Sequence, residues 1–397
     1  MTPKPSLLVL SHTYVVPMNQ RKYALMADRF DVTVVTLRRE GIEVFGSELP
    51  DVPDLPQIKV IRLHATGSLD RPTKQFYRGL GEIFRDGGFD IIMNEVEPWS
   101  VLRWQSWFLA KKFQPEAIFG EFSWENMLRP GLRGLLLKKI YQAAMRSGDF
   151  LIAGNTRCAE ICTAFGQDPE RVEVICQLGV AVSHFEPPES FDRSSARERL
   201  GLDPQAFLVG YCGRIIPEKG LLELYEAIEE LQSEAALDVH LAIMGNGELS
   251  GLPAEHEQKP AWFHRMPARP HDEVGEFMQV LDVFALASKA QIETSGVIWE
   301  EQFGRVLIEA AAAGAVVIGS TSGAIPEVID DREMTVPPGN VSSLTQLIKQ
   351  LGENTDFYSK KQSCQNERIR AHYAEDVHAA QWEEAFKKFL RLGRKRR

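Results

Sequence analysis

Short apolar, β-branched runs alternate along the chain with longer segments of helical period. Residues 7–10, 32–37, 58–63, 90–94, 117–120, 150–153 and 172–175 read as strands, and 18–29 and 131–146 are long enough for crossover helices. That alternation predicts a parallel, doubly wound sheet. The rhythm breaks at 186–195, a polar stretch rich in Pro and Ser that reads as an interdomain linker. It then restarts, with strands at 207–212, 239–244, 283–286 and 316–319 and helices at 220–232, 271–280 and 304–313. Helices over 341–352, 356–371 and 375–391 end the pattern.

The 397 residues accommodate two such units, at roughly 100–200 residues per domain. The expected division is 1–185 and 196–372. The segment 375–397 returns to the first unit, because Trp382, Phe386 and Phe389 need burial after the second has closed. Ligands of open α/β sheets bind at the carboxyl ends of the strands, so two such edges predict a cleft between the domains.

Composition adds exclusions. A hydrophobic share of 44% with 25% charged residues is that of an ordinary soluble globular protein. The formal net charge of −10 argues against a nucleic-acid binder. One local exception is the stretch 126–148, with five Lys or Arg and no acid. It has two readings: contact with anionic lipid, or a helix with Leu135, Leu136, Leu137 and Ile140 in the core and its cations solvated. The five cysteines lack paired CxxC spacing and read as reduced thiols; Cys158 and Cys162 alone do not make a metal site. The N-terminal apolar run is too short for a signal peptide, and no stretch approaches the ~20 residues of a membrane span. The expected location is the cytoplasm, with the inner face of the membrane as its one lipid surface.

Three constellations carry chemistry. In 210–220 a strand ends at Cys212, Gly213 permits a close turn, and Arg214 and Lys219 precede a helix. A strand-end loop entering a helix suits an anion, through free N–H groups, the helix dipole and the two cations. An ordinary loop with solvated charges fits this segment equally well. Next, Glu301 precedes a helix that starts at Gly304 and carries Glu309 about two turns in. A carboxylate among Ala and Ile needs partners. Vicinal hydroxyls such as those of ribose would serve, as would a core Arg. The third is the Gly/Pro loop at 320–329, between a strand and a helix.

Gly213-Arg214 with Pro217-Glu218-Lys219-Gly220, Gly245-Asn246-Gly247, Glu301-x-Phe303-Gly304 with Glu309-Ala310, and Gly323-Ala324-Ile325-Pro326-Glu327 together resemble the retaining, GT-B-fold glycosyltransferases of family 4, or glycosyl transferases group 1. The resemblance covers about 207–329; at Ala181 an Asp is common in the family. It implies a GT-B architecture of two Rossmann-like domains, and a nucleoside diphosphate sugar as donor. It also implies a sugar-containing or small-molecule acceptor, and neither metal nor cofactor. Arg214 and Lys219 would hold the diphosphate, Glu309 the ribose, and Glu301 the transferred sugar. Donor contacts would extend to Gly213, Phe303, Gly304, Arg305 and Val306, with the base near Met266. An epimerase, a phosphorylase or a non-catalytic scaffold of the same fold are the alternatives.

The first half departs from the common family pattern. Ser11-His12-Thr13-Tyr14 follows the first strand instead of a Gly-Gly loop. Glu97-Pro98-Trp99-Ser100 and Trp124-Glu125-Asn126 resemble segments of some members. Glu125 and Asn126 are therefore catalytic candidates, and His12, Glu97, Trp99, Ser100, Trp124 and Asn155 acceptor-side candidates. Glu125 also reads as a helix-start carboxylate, and His12 and Asn155 as helix caps.

Overall fold

A computed structural model describes residues 3–38, 43–44, 47–48, 52–66, 72–234, 237–253, 259–293 and 296–394. The chain divides into one unit of Met1–Gly179 with Glu375–Arg397, and a second of Val180–Ala374.

The first unit is a seven-stranded parallel sheet. Its strands are β1 (Ser6–Leu10), β2 (Asp31–Leu37), β3 (Lys59–Leu63), β4 (Ile91–Asn94), β5 (Ile118–Ser123), β6 (Phe150–Ala153) and β7 (Val172–Val174). In space they run β7-β6-β5-β4-β1-β2-β3. Alternate residues bury opposite faces. Leu7, Val9, Val32 and Val34 join one core, while Leu8, Leu10, Val35 and Leu37 join another. Burial on both sides is why these strands read as unbroken apolar runs.

The helix Glu375–Leu392 covers the first of these faces. Phe386 meets Phe30 edge-on, Trp382 stacks on Phe122, and Phe389 stacks on Phe150 at 4.3 Å. The spacing of 382, 386 and 389 is one helical stripe, which places all three rings on the sheet. The helix expected over 18–29 is shorter. A 3-10 turn, Pro17–Gln20, leads into Arg21–Ala24. Beyond it, Met26 N–H bonds Tyr23 and Ala27 N–H bonds Ala24, tighter i→i−3 turns that bury Tyr23 and Met26 in little length.

The second unit is a six-stranded parallel sheet of β8 (Phe207–Cys212), β9 (Val239–Met244), β10 (Phe263–Met266), β11 (Val283–Leu286), β12 (Val316–Ser320) and β13 (Thr335–Val336), in the order β10-β9-β8-β11-β12-β13. Six strands of each unit thus repeat the Rossmann order 3-2-1-4-5-6, and in each the order of strand addition reverses beside the first strand. Those switch points lie between β1 and β4, and between β8 and β11.

The expected linker over 186–195 is not a spacer. Both its ends belong to the second unit. Phe185 is buried edge-on to the His271 ring, and Asp192 caps a helix, Arg193–Arg199. Arg197 of that helix is buried, donates to the Val280 and Ala206 carbonyls, and pairs with Asp282 at 2.8 Å. Polar composition misleads here because a guanidinium, fully satisfied by carbonyls and a carboxylate, serves as core. The boundary therefore falls at Gly179/Val180 rather than at 185.

Candidate functional site

In the second unit the three constellations converge on the carboxyl ends of β8, β11 and β12. After β8, Gly213 takes a φ of 149°, and Pro217–Lys219 forms a 3-10 turn entering the helix Leu221–Glu234. Arg214 is exposed, and its side chain has no ion-pair partner among the described residues. Lys219 Nζ lies 2.7 Å from Glu301 Oε2 and 5.0 Å from the centre of the Trp299 ring. Ser288, two residues past β11, donates to the same Glu301 oxygen at 2.8 Å.

The third constellation explains how Glu301 is held. Ala324 N–H donates to the Glu301 carbonyl at 2.9 Å. Gly323, at φ 54°, sits so close that a Cβ there would lie 2.0 Å from that carbonyl oxygen. Gly304, at φ 81°, precedes the helix Arg305–Ala312, whose N-terminus no side chain caps. Backbone N–H groups at such an end favour an anion. Phe303 is buried against Tyr373, and Arg305 and Val306 are half-buried in the first turn.

Glu309 is buried, and its Oε1 lies 2.9 Å from both His271 Nε2 and Arg305 Nε. Of the two partners the sequence leaves open for it, the chain supplies the cationic one, with an imidazole added. Met266 ends β10, its carbonyl bonded to Gly245 N–H. Burial pushes the Cys212 thiol up to about 12, so it stays protonated. Among the described residues, the one cluster of potential metal ligands is Asp203, Asp238 and His240. It lies at the opposite end of the sheet from Arg214 and Glu301.

In the first unit the acceptor-side candidates also follow strand ends. His12 starts a 3-10 turn after β1. Burial lowers its pKa to about 4, and its Nδ1 has no hydrogen-bond partner among the described residues. Glu97, past β4, accepts from Tyr141 Oη at 2.7 Å, Ser123 Oγ at 3.0 Å and Trp124 N–H at 3.2 Å. Burial nonetheless raises its pKa. Glu125, past β5, takes Tyr141 Oη at 3.4 Å and lies 3.6 Å from Arg129. Burial and the neighbouring Glu97 raise it to about 7 against the pull of Arg129.

Asn126 is buried next to Glu125, and Trp124 packs edge-on to Phe122. Trp99 is half-buried beside Arg129. Two candidates have structural duties: Ser100 caps the helix Val101–Phe113, and Asn155 caps Thr156–Ala164 while donating to the Trp124 carbonyl.

Several contributors carry no sequence signal. Tyr141 reads as one more residue of a helix, yet it joins Glu97 to Glu125. Trp299 lies on a hairpin strand, Gly296–Trp299, opposite Gln291–Glu293, that the periodicity does not reveal. Ser288 could have been found as a polar residue just past a strand end. A buried pair was missed too. Lys22 lies 2.9 Å from Glu95, which also accepts from Tyr14 and Tyr23, and Lys22 Nζ is 3.4 Å from the centre of the Trp382 ring. This network ties the return helix to the end of β4.

Residues 192–370 match the family described as Glycosyl transferases group 1. The chain is 28% identical over 244 residues to the D-inositol 3-phosphate glycosyltransferase of Streptomyces bingchenggensis, covering 54% of this chain and 50% of that one. It is also 28% identical over 194 residues to the GDP-mannose-dependent monoacylated alpha-(1-6)-phosphatidylinositol monomannoside mannosyltransferase of Corynebacterium glutamicum, covering 48% and 49%. The chain thus spans about half the length of these curated relatives. Among solved structures it is similar to a glycosyltransferase of Rickettsia africae, with a TM-score of 0.71 at 17% identity over 98% of this chain and 99% of that one. HepE of Anabaena, in complex with UDP and glucose, gives 0.67 at 16% over 96% and 99%. These structural likenesses carry the fold.

Proposed function

We propose that the chain is a retaining, metal-independent glycosyltransferase that moves a hexose-type sugar from a nucleoside diphosphate to an acceptor hydroxyl; residues 192–370 match the glycosyl transferases group 1, and the fold is that of GT-B glycosyltransferases. The observation that carries the reading is the convergence of Arg214, Lys219, Glu301 and the uncapped helix start at Gly304 on one switch point. GDP-mannose, named for a relative, and UDP-glucose, bound in a HepE structure, are donors of this class.

In this proposal the donor diphosphate lies against Arg214, Lys219 and the N–H groups at the start of Arg305–Ala312. These cations and dipoles are fixed before reaction, the kind of electrostatic stabilisation that dominates many enzymes. They offset the charge that grows on the leaving phosphate, the work a divalent ion does elsewhere. The bond from sugar C1 to the phosphate oxygen breaks, the bond from C1 to the acceptor oxygen forms on the same face, and the acceptor proton passes to the departing phosphate. Glu301 binds sugar hydroxyls; its pairing with Lys219 and Ser288 suits recognition rather than nucleophilic attack. Glu309 meets the ribose, with His271 and Arg305 fixing its carboxylate. The first unit takes the acceptor, with Glu97, Glu125 and Asn126 as its polar contacts.

The test is a transfer assay with labelled nucleoside diphosphate sugars and a panel of sugar and lipid acceptors, with and without a strong chelator. Transfer with retained anomeric configuration, insensitive to the chelator, is expected. An epimerised donor formed without acceptor, or a sugar phosphate formed from free phosphate, would replace this reading.

A further inference from the structure

The helix Gly131–Ser147 buries one face only. Gly134, Tyr141, Ala144 and Met145 face the core, but the opposite face carries leucines. Leu132 is 87% exposed and Leu136 65%, and in this helix and the loop before it Leu128 and Leu135 stand at 59% and 55%. The reading that puts Leu135, Leu136, Leu137 and Ile140 in the core therefore fails for Leu135 and Leu136, while Leu137 does pack against it. Single exposed leucines need no explanation, whereas four on neighbouring turns mark an interaction surface.

Two further observations say what covers it. The cations of 126–148 are Arg129, Arg133, Lys138, Lys139 and Arg146, with no acid among them, on a chain whose net charge is −10. Beside the leucines opens a pocket of about 280 Å³, lined among others by Glu125, Leu128, Arg129, Leu135, Lys138 and Tyr141. Its wall is close backbone: a Cβ on Gly134 would lie 1.8 Å from the Arg129 carbonyl oxygen. Leu128 and Leu135 belong to both features, so pocket and apolar face are continuous.

We propose that this face docks on an anionic phospholipid bilayer, with Leu132 and Leu136 entering the acyl boundary and a lipid phosphate bonded by Arg129 and Lys138 at the pocket mouth. An apolar stripe flanked by cations is the composition that lies in a membrane interface, and anionic lipid supplies the complementary charge. A soluble acidic protein would match the cations but leave Leu132 and Leu136 in water. The docking stands independently of the reaction; it rests on the proposed function only for its consequence, that the acceptor offered to Glu125 and Tyr141 is lipid-borne.

The experiment is co-sedimentation of the full chain with phosphatidylcholine vesicles, alone or mixed with phosphatidylglycerol, for wild type, Leu132→Asp/Leu136→Asp and Arg133→Glu/Lys139→Glu. Wild type is expected to sediment with the anionic vesicles and weakly with phosphatidylcholine, and each variant to lose about tenfold or more in affinity. Nucleoside diphosphate affinity, measured on the same samples, stays unchanged and confirms folding. Millimolar inorganic phosphate leaves sedimentation in place, because the leucines contribute. Equal binding to both vesicle types, wild-type binding by the leucine variant, or full displacement by phosphate overturns the proposal, and none of these outcomes bears on donor transfer.

Discussion

Lys219 and Glu301 form one ion pair, 2.7 Å between Nζ and Oε2, although the family resemblance gives the lysine to the donor phosphates and the glutamate to its sugar. The pair is largely buried, and Trp299 lies against the ammonium. Removing either member leaves a poorly solvated charge, so their effects must couple. Lys219→Ala is expected to cost roughly 2–4 kcal/mol of transition-state stabilisation, as for other preorganised donors. The double variant with Glu301→Gln should cost clearly less than the sum of the two, by about 1 kcal/mol or more. Additive effects on kcat/KM would mean the pair does not act as a unit.

The two glutamates are expected to separate by ligand. Glu309→Gln is expected to weaken binding of the nucleoside diphosphate and of the intact donor alike, since the proposal gives the ribose to this carboxylate, which His271 and Arg305 flank. Glu301→Gln spares the nucleoside diphosphate and lowers turnover of the intact donor. Each loss should be about 1.5–3 kcal/mol, the scale of hydrogen bonds to charged groups. Binding isotherms with the diphosphate alone decide; a reversed pattern would exchange the roles.

Glu125 predicts a pH dependence of stability. Burial raises its pKa from 4.5 to about 7 in the folded chain. The folded state therefore holds a proton that the unfolded state has lost, and stability falls as pH rises from 4.5 to 7. At about 1.4 kcal/mol per pH unit, the upper bound is about 3.5 kcal/mol. Glu125→Gln should thus stabilise the chain at pH 8 relative to wild type, and far less at pH 4.5. Denaturant melts of both proteins at the two values check this, and an equal gain at each would show that Glu125 is not the titrating group.

The return helix should matter to the first unit. Trp382 is fully buried, stacks on Phe122, and lies under the Lys22 ammonium. Trp382→Ala is expected to cost about 3–5 kcal/mol. Because Lys22 is buried against Glu95, the loss should exceed that of Phe389→Leu, which keeps the site apolar. Equal losses in thermal unfolding would remove the Lys22 contact from the account.

Most of the fold was legible because both faces of each sheet are covered. Runs such as Leu7–Leu10 and Val239–Met244 had no polar face to blur them, and β1 and β9 lie within a residue of the expected ends. Arg193–Arg199 was not legible, since its core arginine is satisfied by the Ala206 and Val280 carbonyls and the Asp282 carboxylate, all outside its own helix. The three loops that meet at Glu301 were legible because turn glycines and strand ends are local features. What holds Glu301 was not: Ser288 donates to its carboxylate and Ala324 N–H to its carbonyl, from segments 13 residues before it and 23 after it. Tyr141 between Glu97 and Glu125 is likewise a long-range meeting that no spacing announces.

Calorimetric titration of wild type, Arg214→Ala and Lys219→Ala with UDP, GDP and ADP tests the central claim, that the second unit holds a nucleoside diphosphate at the carboxyl ends of β8 and β11. The expected result is saturable binding of at least one nucleotide in the presence of chelator, weakened about tenfold or more by each substitution, on the scale of a lost charged hydrogen bond. Binding of none of the three, or affinities in both variants within threefold of wild type, would contradict it.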